Sequence, residues 1–161
     1  MNLPADRRAR LQHLVKAALA TCAHLQITDR GIFALSFTAQ RASDLDRDAV
    51  LAERVDAFVA RFSRLQDLLG DKLLPELMSA LGEPERAMID NLDHAERLGW
   101  IASADDWVRV RRLRNQMVHE YIGDPALLAD ALQRGHDFVP VLAAAAEALA
   151  MEVRRRGWAS C

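Results

Sequence analysis

The chain has 161 residues, 51% hydrophobic and 27% charged, enough for one domain with a substantial core, and its 7 glycines and 5 prolines favour a few long helices over many short strands. A formal net charge of -2 argues against a general nucleic-acid coat protein but leaves room for a local basic site. No apolar stretch is long enough for a bilayer, no secretory segment stands near Met1, and Cys22 and Cys161 lie too far apart to suggest a disulfide framework, so one cytoplasmic domain over residues 1–161 is expected.

The first helix is predicted from Ala5 to Gln26, with Leu11, Leu14, Val15, Ala18, Leu19 and Leu25 as its apolar stripe. The segment from Ile27 to Asp44 is harder to read. Ile32, Phe33, Leu35 and Phe37 resemble a strand without a partner, and a structureless connector of this length is unusual, so a helical turn or part of the next helix is expected inside it. The second long helix starts near Asp46 and carries Val50, Leu51, Val55, Phe58, Val59, Phe62, Leu65, Leu68 and Leu69. Gly70 and Pro75 imply a stop or kink before Leu81. Pro84 is expected to open the third helix, through Met88, Ile89, Leu92 and Leu98, and Gly99 to close it.

A fourth helix is predicted from Ala104 to Ile122, with Ser103 and Asp106 making a capping-box-like start. At about 100° per residue, Trp107, Val110, Leu113, Met117, Val118 and Tyr121 share one apolar arc. Arg114 falls inside that arc. Its guanidinium is costly to bury alone, so it snorkels to an edge, meets a carboxylate or waits for a phosphate. Asn115 and His119 are i and i+4 neighbours at the border of the arc. The fifth helix opens with Asp124 as N-cap and Pro125 at its first position, and runs to about Arg155. About five helices joined by short turns predict an all-α antiparallel bundle.

Arg114-Asn115, three residues, then His119, one residue and Tyr121 resembles the signature of HEPN-domain proteins, in particular the HepT-type toxins paired with a minimal nucleotidyltransferase. The resemblance covers this motif and an all-helical chain of suitable length. It implies a bundle that dimerises across the motif helix, an endoribonuclease site assembled from both protomers, and a tyrosine, here Tyr121, that the partner enzyme modifies with AMP. The residues themselves suit metal-independent transesterification of RNA, in which the ribose 2′-hydroxyl attacks the adjacent phosphorus and leaves a cyclic phosphate. Imidazole exchanges protons near neutrality, which suits His119 as proton acceptor or donor. Arg114 places a fixed cation on the non-bridging oxygens as their charge builds. Asn115 is read as orienting His119 or the phosphate, and Arg109, Arg111 and Arg112 as a basic rim for RNA, partly offset by Asp105, Asp106 and Glu120.

The expected partners are RNA, a cognate nucleotidyltransferase and a second copy of the chain, with no membrane, DNA, metal or cofactor. An alternative from another class makes the same fold a non-catalytic partner or substrate-binding subunit of a nucleotidyltransferase. A purely structural bundle leaves Arg114 unexplained. Other constellations fail on spacing: Asp44, Asp46 and Asp48 open like a calcium loop, but Ala49 and Val55 hold its glycine and final ligand positions. His13, His24, His94 and His136 are scattered without metal-ligand spacing, and Arg154 to Arg156 read as a basic helix end.

Overall fold

Leu11, Leu14, Val15, Ala18, Cys22 and Leu25 recur at helical spacing, and in the computed structural model, which describes residues 2–119 and 123–159, they form the buried face of α1 (Ala5–Ile32). That helix passes the expected end at Gln26 because Thr28, Asp29 and Ile32 continue the buried face. It stops where a short connector begins, leading to α2 (Ala39–Ser43) and a 3-10 turn (Asp44–Asp46). Arg41 explains the connector's course. Its guanidinium donates to the carbonyl of Ile32, an acceptor that the ended helix leaves open, and to those of Leu35 and Ser36 in the connector, and lies over the Phe37 ring. Phe37 N–H donates to Gln133 Oε1, pinning the segment to the last helix.

Asp48 caps α3 (Ala49–Gln66), its carboxylate accepting from Leu51 N–H at 3.0 Å. Asp44 pairs with Arg47 at 2.9 Å, so these aspartates serve helix starts and a local ion pair. Neither Gly70 nor Pro75 stops the chain. A π turn (Asp67–Leu73) carries α3 into α4 (Leu74–Ala80), with Leu74 N–H donating to the Leu69 carbonyl five residues back. Pro75 then sits in the first turn of α4, where a missing N–H costs little.

The third predicted helix begins later than expected. Pro84 lies in the connection, and α5 runs Met88–Arg97, followed by Gly99 at φ +76°, the left-handed conformation that closes such a helix without a Cβ penalty. Ser103 Oγ accepts from Asp106 N–H at 3.1 Å and opens α6 (Ala104–His119). Residues 120–122, including Tyr121, lie outside the described residues. Asp124 accepts from Ala126 N–H at 2.8 Å and Pro125 starts α7 (Pro125–Arg155), as the sequence predicts.

The described residues thus form an all-α bundle without a strand. α1 packs along α3 and α7, while α6 lies against α7, α3 and α5. Phe58 and Phe62 of α3, Leu11 and Leu25 of α1, Trp107 and Met117 of α6 and Leu132 of α7 belong to one contiguous buried cluster. Each fully buried large side chain contributes about 1.5–3 kcal/mol to holding these faces together. No helix among the described residues is long and apolar enough to cross a membrane.

Candidate functional site

Trp107, Val110, Leu113 and Met117 set the orientation of α6, because all four are buried against the bundle. Val118 does not join them. It is 48% exposed, so the described apolar arc is narrower than the sequence predicts. Rotation about the helix then leaves Asn115 and His119 exposed and Arg114 half-buried at the boundary.

Arg114 meets a carboxylate. Its Nη2 stands 3.3 Å from Asp67 Oδ2, and its Nη1 donates to Asn115 Oδ1 at 3.1 Å, while its buried Nε has no partner among the described residues. Asn115 therefore orients Arg114; no hydrogen bond joins it to His119 among the described residues. One turn earlier, Arg111 stands 3.6 Å from Asp71. Asp67 and Asp71, both on the π turn, thus face two α6 arginines spaced to meet them. Burial pushes the Asp71 carboxyl above its ordinary range, Arg111 pulls it back, and neighbouring Asp67 raises it again.

The π turn can approach α6 this closely because of Gly70. A Cβ there would fall 2.7 Å from Trp107 Nε1, inside any tolerable contact. Trp107 Nε1 is buried with no hydrogen-bond partner among the described residues, so packing takes precedence over polar satisfaction at this contact.

Of the predicted basic rim, Arg109 pairs with Asp106 at 2.9 Å and Arg111 with Asp71, while Arg112 is exposed and makes no ion pair with a described residue. The rim is therefore largely charge-compensated. Elsewhere, His94 Nε2 lies 3.4 Å from Glu83, and His136 Nδ1 lies 2.7 Å from Asp29 with its ring stacked on Phe33 at 4.5 Å. Glu152 binds Arg155 at 2.8 Å and Arg156 at 2.6 Å, absorbing most of the terminal basic run. Cys22 is buried and unbonded, its thiol pushed up by burial and by Glu147, and Cys161 lies outside the described residues.

The sequence reading missed Asp67 and Asp71 as partners of α6. Gly70 and Pro75 marked their segment as irregular, yet nothing local says which helix it faces. Asp29 and His136, separated by 107 positions, carry no local signal at all. Comparisons with family models, curated proteins and solved structures found no match.

Proposed function

We propose that this chain is a HEPN-like bundle that dimerises across α6 and acts as a metal-independent endoribonuclease of the toxin type, restrained by a cognate minimal nucleotidyltransferase. What supports the reading is that Arg114 and His119 stand on one helix, the imidazole exposed and the guanidinium half-buried and bonded to Asn115, which precedes His119 by one turn. In the proposed reaction the ribose 2′-hydroxyl attacks the adjacent phosphorus, the bond to the next ribose oxygen breaks, and a cyclic phosphate remains. His119 accepts the proton of the attacking hydroxyl, and His119 of a second copy donates one to the leaving oxygen. Arg114 neutralises the non-bridging oxygens, and an incoming phosphate shares or displaces Asp67 at its Nη2. Arg112, which makes no ion pair with a described residue, offers a cation to the RNA backbone, with Arg109 and Arg111 in support.

Exposed Val118 stands next to His119 and would lie within the proposed dimer interface across α6. Tyr121 is the proposed acceptor of AMP from the transferase. The test of the reading is incubation of the purified chain with RNA and a chelator, with end-group analysis. Cyclic-phosphate ends are expected, and intact RNA or a strict need for magnesium contradicts the reading.

One observation favours a second reading. The Arg114–Asp67 pair already gives the guanidinium a structural partner, which suits a non-catalytic subunit that docks a nucleotidyltransferase. Stable co-purification with the transferase and no RNA cleavage by the free chain would select it.

A further inference from the structure

Beyond α7 the chain folds back on the bundle. It turns through Gly157 at φ +73°, with Gly157 N–H donating to the Arg154 carbonyl at 2.8 Å and Trp158 N–H to the Val153 carbonyl at 3.1 Å. The turn returns it to α1, where Gln12 Nε2 donates to the Trp158 carbonyl at 2.9 Å and Trp158 is buried. Ala159 thereby becomes one wall of a cleft of about 310 Å³, which Gln12, Val15, Lys16 and Leu19 of α1 and Arg154 of α7 complete.

This lining carries two cations and no carboxylate. The run Arg154-Arg155-Arg156 divides here. Arg155 and Arg156 turn to Glu152, at 2.8 and 2.6 Å, whereas half-buried Arg154 lines the cleft and makes no ion pair with a described residue. Its buried Nε has no hydrogen-bond partner among the described residues. Lys16 likewise makes no ion pair with a described residue and brings a second positive charge to the same cleft. A half-buried guanidinium without an anion is costly, and a second cation in its cleft adds repulsion. An anion between the two removes both costs.

Geometry and size narrow the class. A guanidinium is a planar fork that pairs with two oxygens of a phosphate, and an ammonium is a point charge that takes a third, so a dianion suits the pair better than a monoanion. Val15, Leu19 and Ala159 give the rest of such a ligand an apolar surface. The volume stands at the small end of the range of about 300–1,000 Å³ usual for ligand sites.

We propose that this cleft binds the phosphate group of a small phosphate monoester, with Arg154 and Lys16 on its oxygens and its carbon chain against Val15 and Leu19. The cleft shares no lining residue with α6 or the π turn, so the site stands or falls apart from the nuclease reading.

The test is calorimetric titration of the full chain, at low ionic strength, with butyl phosphate, inorganic phosphate and butyrate. Butyl phosphate is expected to bind with Kd below about 1 mM, and the other two to bind about threefold or more weaker. Lys16→Gln and Arg154→Gln should each weaken butyl phosphate binding about tenfold or more. Arg30→Gln, which removes the same charge from an exposed position at the other end of α1, should leave it unchanged. Lys16 is itself exposed, so its variant carries the test if Arg154→Gln fails to fold. Absence of butyl phosphate binding, or the same weakening by Arg30→Gln as by Lys16→Gln, overturns the proposal. Butyrate binding as tightly as butyl phosphate overturns the selection for a phosphate. Sedimentation with phosphatidic-acid vesicles distinguishes the source: retention of wild type but not of Lys16→Gln, without butyl phosphate binding, would assign the phosphate to a lipid headgroup and overturn the small soluble ligand.

Discussion

Arg114 is the residue on which the functional reading turns, and its contacts make the reading testable at the level of one side chain. If Asp67 competes with phosphate for Nη2, Asp67→Asn should raise RNA affinity by about threefold or more in a binding titration. Lower stability with unchanged RNA affinity would make the pair structural. Glu152 gives a second residue-scale prediction. Its hydrogen bond from Arg155 holds the carboxyl below the ordinary glutamate range, against the effect of burial, with Arg156 adding to the lowering. A carboxylate lowered on folding contributes stability that is present above its unfolded pKa and lost as pH falls through the folded one. Glu152→Gln should therefore cost about 1–3 kcal/mol near neutrality, with the gap to wild type closing well below about pH 4 in urea melts. Asp71 runs the other way: raised mainly by burial, it favours the folded state in acid, and that contribution is lost as pH rises through its folded pKa.

The π turn is the element that positions the site, since it sets Asp67 and Asp71 opposite α6 and brings Gly70 onto Trp107. Gly70→Ala should cost about 1–3 kcal/mol in denaturant unfolding, because a Cβ must displace the buried indole or the turn. An unchanged midpoint would mean that the π turn shifts freely. Helix α7 was legible to its ends, because Asp124 and Pro125 are start signals whose physics is local. The stripe of α1 was legible too, but its end was not: past Ile32 the connector is held by Arg41, whose guanidinium binds the carbonyls of Ile32, Leu35 and Ser36, a contact reaching up to nine residues along the sequence. Gly70 and Pro75 showed that the second helix is irregular, yet a π turn and a true stop share that signature. The arc of α6 predicted the burial of Trp107, Val110, Leu113 and Met117, while the exposure of Val118 depends on how α6 rotates against its neighbours.

For the whole molecule, the proposed dimer rests on the proposed chemistry, in which two imidazoles divide two proton transfers more readily than one, and would set Val118 beside His119 in its interface. Light scattering should give a dimer whose nuclease activity falls on dilution, and Val118→Lys should shift it towards monomer; an active monomer would remove the composite site. Co-expression with a cognate nucleotidyltransferase should add one adenylate mass, mapped by fragmentation to Tyr121, and modification elsewhere would take that residue out of the mechanism. The central claim is that Arg114 and His119 cut RNA without a metal. Its most direct measurement is the single-turnover cleavage rate in chelator of wild type and His119→Ala, each checked for unchanged helicity. The account predicts cyclic-phosphate products from wild type and a rate lower by about a hundredfold or more in the variant. Equal cleavage by a folded His119→Ala protein would contradict it.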